Sequence, residues 1–220
     1  GPGTGNLTEI ILSKKPKKLI VVEKDKELSL KLSKKFKNNI EIINTDILDY
    51  FDKLKFKEPL KVFGNLPYNI STKILTSFIR ENNFFKKYKK FIFVFQKEVA
   101  DRILAEENTK YFGRLSILTS WKTNKFKVMD IDPKYFFPKP KVWSSLIVLK
   151  PKLKVEEFKN PKNLEHLTTI FFNQRRKMIK KPMRQLFKNY EKIANDLNLD
   201  LNLRPQNISN KKYLELCKLY

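Results

Sequence analysis

A single cysteine, Cys217, and a single histidine, His166, occur among 220 residues. One thiol cannot close an internal disulfide, and one thiol with one imidazole cannot supply a multi-ligand Cys/His metal site. Both scarcities predict an intracellular chain, cytoplasmic or organellar, with no bound metal. Apolar runs are short, none approaching the roughly 20 residues that span a bilayer, and no signal-peptide pattern is present; no membrane is expected among the partners. Acidic residues are few: 23 Asp and Glu stand against 47 Lys and Arg, a formal net charge of +24, with a pI near 9.9. A field of that sign favours a polyanion, nucleic acid first. Lysine-rich amino-acid usage and simple surface solubility raise the same number, so charge alone does not decide. Glycine is scarce too, five in all, yet three of the five fall at positions 1, 3 and 5.

What is present suffices for a core. The chain is 41% hydrophobic and 13% aromatic, enough for one large domain or a large and a small one. Leu19 to Glu23 is a short apolar run rich in β-branched residues, and Asp25 to Phe36 has helical spacing. Strand-like and helix-like segments then alternate: Ile40 to Ile43, Leu60 to Gly64, Ser71 to Arg80, Phe91 to Gln96 and Lys97 to Ala105. Continuous apolar strands separated by helices predict a parallel sheet covered on both faces. Two later strands, Phe126 to Asp130 and Ser145 to Leu149, flank a proline-rich segment and predict an antiparallel pair closing one edge. After Pro151 the periodicity is helical only, so a small helical unit is expected from about Val155.

The opening G-P-G-T-G-N-L-T is the first chemical signal. Its glycines let the backbone turn tightly and approach a ligand, and a helix beginning near Asn6 would aim its amide-rich end there. The next strand ends in Glu23, where nucleoside-binding α/β folds place an acid for ribose hydroxyls. A solvated strand end would look the same. After the following strand, Asp46 in N-T-D-I-L could hold an adenine amino group. The loop lacks the third glycine of a dinucleotide fingerprint at its usual place, which makes S-adenosylmethionine the better candidate.

V-F-G-N-L-P-Y-N-I-S, residues 62–71, follows at the carboxyl end of the next strand, where open α/β sheets bind ligands. An exocyclic adenine amine is a poor nucleophile because its lone pair is delocalised into the ring. The Asn65 side-chain carbonyl and the Leu66 backbone carbonyl could accept its two N–H bonds and favour a tetrahedral nitrogen. Pro67 fixes the backbone, and Tyr68 offers a ring for the base, worth roughly 1–3 kcal/mol. The alternative is a structural Asn-Pro turn with a packed tyrosine.

Taken together with V-V-E-K-D, F-Q-K-E-V-A-D-R-I, Y-F-G-R-L-S, F-F-P-K-P-K-V-W-S-S, F-F-N-Q-R-R-K-M and L-R-P-Q-N-I-S, these motifs resemble, over nearly the whole chain, the KsgA-type small-subunit rRNA adenine N6,N6-dimethyltransferases. The resemblance implies an α/β, Rossmann-like S-adenosylmethionine-dependent methyltransferase fold over residues 1–152 and a small helical RNA- or ribosome-binding domain over 153–220. It assigns the cofactor to Gly1, Gly3, Gly5, Asn6, Leu7, Glu23, Lys24, Asp46, Ile47 and Asn65. The target adenine falls to Asn65, Leu66, Pro67 and Tyr68, with Phe136 stacking on the base's other face; core packing is the other reading of Phe136. The implied substrate is two adjacent adenosines in the loop of the terminal helix of small-subunit rRNA, within an assembling particle, for a monomeric enzyme. Lys97, Arg102, Arg114, Arg175, Arg176 and Lys177 are the expected RNA contacts, although Arg102 and Arg114 could instead pair with Glu98 or Asp101.

Two departures from the family pattern stand out. Its upstream Gln-Asn-Phe-Leu-type motif and first strand do not precede the glycine loop, so missing sequence is expected. Trp143 occupies a place where an acidic or small polar residue is more familiar. Competing readings are a resistance-type methyltransferase of large-subunit rRNA, a DNA adenine methyltransferase, and a non-enzymatic ribosome-assembly or nucleic-acid-binding factor that keeps the fold.

Overall fold

The computed structural model describes residues 1–50 and 58–220. From the glycine loop, α1 (Asn6–Ser13) leads to β1 (Ile20–Glu23), α2 (Lys26–Phe36), β2 (Glu41–Asn44) and α3 (Ile47–Tyr50). Then come β3 (Leu60–Asn65), α4 (Ser71–Arg80), α5 (Phe84–Lys87), β4 (Tyr88–Gln96), α6 (Lys97–Leu104), α7 (Arg114–Lys122), β5 (Thr123–Ile131) and β6 (Ser144–Pro151). Four further helices complete the chain: α8 (Lys162–Phe172), α9 (Lys180–Leu186), α10 (Tyr190–Asp196) and α11 (Asn210–Leu219). The α/β alternation expected from the apolar runs is present. The helical character after Pro151 is present as well, its first helix beginning at Lys162 rather than near Val155.

Among the described residues the strands form two sheets where one parallel sheet was expected. β1 and β2 pair in parallel, and the second sheet runs β3-β4-β6-β5. β3 and β4 are parallel, while β6 is antiparallel to both β4 and β5. The antiparallel pair thus closes one edge, as the two strands flanking the proline-rich segment predict.

Periodicity and capping explain the helices that pack on the two sheets. In α4 the buried positions are Ser71, Ile74, Leu75, Phe78 and Ile79, the i, i+3, i+4, i+7, i+8 stripe of a one-sided helix. α2 starts where the Asp25 side chain accepts the Leu28 N–H at 2.8 Å, satisfying one of the free amides of the first turn. The core is strongly aromatic. Phe91, Phe93 and Phe95 alternate inward along β4 at 1%, 1% and 0% exposure. Phe78 meets Tyr88 edge-on at 5.3 Å, and Phe84 stacks on Phe91 at 5.3 Å. Each such ring contributes roughly 1.5–3 kcal/mol by leaving water. The same cluster runs on without a break into α8, α9 and α11 through Leu164, Leu167, Phe171, Met183, Tyr213 and Leu216. An Arg80–Glu165 ion pair adds a polar tie between α4 and α8.

One ring in this core carries an unmatched polar atom. Tyr88 is buried, its hydroxyl has no hydrogen-bond partner among the described residues, and burial pushes its pKa above the ordinary phenol range. Removing a buried, unsatisfied hydroxyl relieves its desolvation cost. Tyr88→Phe is expected to leave the unfolding free energy unchanged or raise it by about 1 kcal/mol in denaturant titration; a loss of that size would contradict the absence of a partner.

Candidate active site

The glycine loop is held by its own backbone. Gly5 N–H donates to Pro2 C=O at 3.0 Å, and Gly3 and Gly5 adopt φ of 56° and 87°, the left-handed region that favours glycine. At Gly5 a Cβ would stand 2.7 Å from Phe36 and 2.9 Å from Leu32, so the loop can lie this close to α2 only without a side chain. At Gly3 a Cβ would meet nothing within 4 Å, which leaves that side of the loop open.

Parallel pairing brings two acids to one end of the first sheet. Glu23 lies opposite Asn44, and its backbone carbonyl accepts the Thr45 N–H at 3.0 Å. The Glu23 carboxylate is buried and accepts N–H bonds from Gly3 at 3.3 Å and Asp25 at 3.0 Å, which fixes it against the glycine loop. Asp46, just beyond β2, accepts from Leu48 N–H and from Lys24 Nζ, both at 2.9 Å. The Leu48 amide, then Lys24, then the field of Lys73 on α4 hold its carboxyl below the usual carboxylate range. Ile47 and Leu48 pack against the main core together with Leu66 and Ile70, so the acid-bearing end and the N-L-P-Y segment share one packed base. Asn6 and Leu7 open α1 on its exposed side.

Asn65 is the last residue of β3, exposed, and its side-chain amide makes no hydrogen bond among the described residues. Tyr68 is tied down instead: its hydroxyl lies 2.7 Å from Ser144 Oγ, and its carbonyl accepts the Ser71 hydroxyl at 3.1 Å. Ser144 is fully buried at the start of β6. This clasp spans 76 residues of sequence, and Ser144 had no role in the sequence reading beyond its place in the K-V-W-S-S motif. Next to it, Trp143 C=O accepts the Lys97 N–H at 2.8 Å. Phe136 follows a single helical turn over Pro133–Tyr135 and is half-buried; no ring contact joins it to Tyr68 among the described residues.

The basic residues separate into two groups. Lys97 Nζ reaches Asp130 at 3.1 Å and Asp101 at 3.7 Å. Asp130 also accepts from Lys127 at 2.8 Å and from Ser145 Oγ at 2.6 Å, and these donors, Lys127 first, hold its carboxyl far below the usual range. Arg102 pairs with Glu98 one turn earlier, as the structural reading of its i, i+4 spacing predicts. Arg175 directs its guanidinium at Gln206 Oε1 (3.1 Å) and at the carbonyls of Thr109 and Lys110. Asn207 Nδ2 donates to Asn108 at 2.8 Å beside it, so the R-P-Q-N-I-S segment and Arg175 lock the 106–113 loop onto the helical part. Arg114, Arg176 and Lys177 are exposed and form no ion pair among the described residues.

A split between Arg175 and Arg176 follows. Arg175→Ala takes the donor from Gln206 Oε1 and from the Lys110 carbonyl, while the Thr109 carbonyl keeps the Phe112 N–H at 3.3 Å; it is expected to lower unfolding free energy by about 1 kcal/mol, whereas Arg176→Ala stays within about 0.5 kcal/mol of the parent. Denaturant midpoints with unchanged slopes are the measurement; equal effects would refute the assignment.

The sequence matches the family Ribosomal RNA adenine dimethylase over residues 1–220. It is 52% identical over 222 aligned positions to Ribosomal RNA small subunit methyltransferase A of Pelagibacter ubique, covering 100% of this chain and 84% of that one. The protein of the same name from Ehrlichia ruminantium is 43% identical over 221 positions, 98% of this chain and 82% of that one. In structure the chain is similar to a dimethyladenosine transferase from Plasmodium falciparum, with TM-score 0.76 and 25% identity over 98% of this chain and 86% of that one. It shares its fold with the 23S rRNA methyltransferase ErmE, at TM-score 0.69 and 22% identity over 99% of this chain and 87% of that one. A family match over residues 1–220, relatives of this identity and a Rossmann-like α/β fold agree: the chain belongs to the ribosomal RNA adenine dimethylase family.

Proposed function

We propose that this chain transfers methyl groups from S-adenosylmethionine to the N6 amines of two adjacent adenosines in the loop of the terminal helix of small-subunit rRNA. It acts as a cytoplasmic monomer on an assembling particle. Family membership supports methyl transfer to rRNA adenine and a methyl-donor cofactor. The names of the relatives favour the small subunit over the large-subunit and DNA alternatives and over a non-enzymatic factor. The observation that carries the residue assignment is the exposed Asn65 amide, unpaired among the described residues, beside a Tyr68 whose hydroxyl is clasped by Ser144.

The residues present fit S-adenosylmethionine. Gly3 is open on its side-chain face next to the buried Glu23 carboxylate, an acceptor suited to ribose hydroxyls, and Asp46 with Ile47 lies on the neighbouring strand end for an adenine edge. When bound, the cofactor supplies an electrophilic methyl group on a sulfonium. Everything else is positioning and electrostatics from the chain. The target base leaves its stack and lies on the Tyr68 ring, whose hydroxyl tether fixes its plane before the base arrives, with Phe136 on the opposite face. Asn65 Oδ1 and the Leu66 carbonyl accept the two amine N–H bonds and draw the nitrogen toward a tetrahedral geometry that frees its lone pair. After transfer the nitrogen gives up one proton to water, so no general base is required. In the second round one N–H remains, and one of the two acceptors holds it. The exposed Arg114, Arg176 and Lys177, with the helical region 153–220, supply the phosphate-binding surface.

Two outcomes check this reading. Asn65→Ala is expected to lower the methylation rate by about 10²–10³, the cost of one transition-state hydrogen-bonding group, with particle binding largely retained; equal loss of both would make Asn65 structural. Arg176→Glu with Lys177→Glu is expected to weaken particle binding and flatten its log-log salt dependence by about two phosphate contacts. An unchanged slope in filter binding would remove both residues from the footprint.

A further inference from the structure

The segment joining β5 to β6 carries three exposed rings: Phe137 at 101%, Tyr135 at 74% and Trp143 at 49%. Isolated exposed apolar residues are ordinary on a protein surface, but clustered ones mark an interaction surface. These rings are on a stiff mount. The Asp132 side chain accepts the Lys134 N–H at 2.8 Å, Pro133, Pro138 and Pro140 each fix a backbone torsion, and Trp143 C=O is held by the Lys97 amide at 2.8 Å. Exposed ammonium groups are interleaved with them: Lys134, Lys139 and Lys141, the last two without an ion pair among the described residues. Rings alternating with unneutralised lysines on a preformed surface suit single-stranded nucleic acid, which offers a stackable base and an anionic phosphate per residue.

Position narrows the ligand. Trp143 immediately precedes Ser144, whose Oγ clasps Tyr68 at 2.7 Å, so the segment borders the proposed base pocket. An adenosine turned out of its stack leaves the neighbouring base with one face uncovered, and two adjacent adenosines pose that problem in each round. We propose that Phe137 is a stacking platform for the nucleobase next to the one in the pocket, with Lys139 and Lys141 on the adjoining phosphates. This rests on the methylation reading above and extends it: the half-buried Phe136 serves the target base, while fully exposed Phe137 serves its neighbour and keeps it from restacking.

Stacking can be separated from general apolar contact by three substitutions. Phe137→Ala and Phe137→Leu are both expected to lower kcat/KM on unmethylated small subunits about tenfold, with S-adenosylmethionine binding unchanged. Phe137→Trp is expected to stay near the parent, because indole stacks as phenyl does and leucine cannot. In parallel, the fluorescence that Phe137→Trp adds over the parent is titrated with an RNA hairpin whose loop contains two adjacent adenosines, and with the same hairpin made abasic at one of them. Quenching by the first and much less by the second is the expected result. Parent-like activity of Phe137→Ala, or equal rescue by leucine and tryptophan, would overturn the platform, the latter pointing to a protein partner. So would quenching by anionic lipid vesicles alone. If the parent makes no dimethyladenosine yet the two hairpins still differ in quenching, the methylation reading falls and the base platform stands.

Discussion

The pairing of β4 on both of its edges is the constraint from which the rest of the site follows. On one edge β4 runs parallel to β3, with Val94 opposite Asn65; on the other it runs antiparallel to β6, with Gln96 opposite Ser144. Asn65 and Ser144 are therefore brought to the same end of the sheet by a strand that belongs to neither. What fixes this register is apolar: Phe91, Phe93 and Phe95 alternate into the core, and a one-residue slip would turn all three to the other face. Hydrophobic burial in the middle of the strand thus sets the positions of polar groups at its end, and the Tyr68–Ser144 clasp can be short because both partners arrive already aligned.

Much of this was legible in the sequence, because the features concerned are local. The i, i+3, i+4 stripe of α4, the glycines at 3 and 5, and the strand ends at Glu23 and just before or at Asn65 each declare themselves within a few residues. The i, i+4 spacing of Glu98 and Arg102 likewise made their pairing foreseeable. α7 did not declare itself: Ser116, Ile117, Leu118, Thr119, Trp121 and Lys122 are all buried, so the helix has no polar stripe for periodicity to reveal. Nor could local reading find the partners of Tyr68 and Arg175, which lie far along the chain and meet only through the folded sheet and helices.

Charge illustrates the same limit. A net +24 says that the surface is basic but not which cations are available to a partner. Of the six basic residues singled out, Lys97 and Arg102 are neutralised by acids and Arg175 is occupied by backbone carbonyls. Arg114, Arg176 and Lys177 stay in solvent, as do Lys139 and Lys141 beside the exposed rings. The residues of this second group are the ones left available to a polyanion, and a run such as Arg175-Arg176-Lys177 divides between structural and solvent-facing roles within a single turn of chain.

The central claim is that the sheet end bearing Asn65 and the clasped Tyr68 performs N6 methylation of rRNA adenine. Its most direct test is nucleoside mass spectrometry of unmethylated small ribosomal subunits after incubation with the protein and S-adenosylmethionine labelled in the methyl group. The account predicts labelled N6,N6-dimethyladenosine at two adjacent positions of the terminal-helix loop. Subunits that bind the protein in the presence of the cofactor yet acquire no labelled methyl group would contradict it and leave a binding factor on a methyltransferase fold.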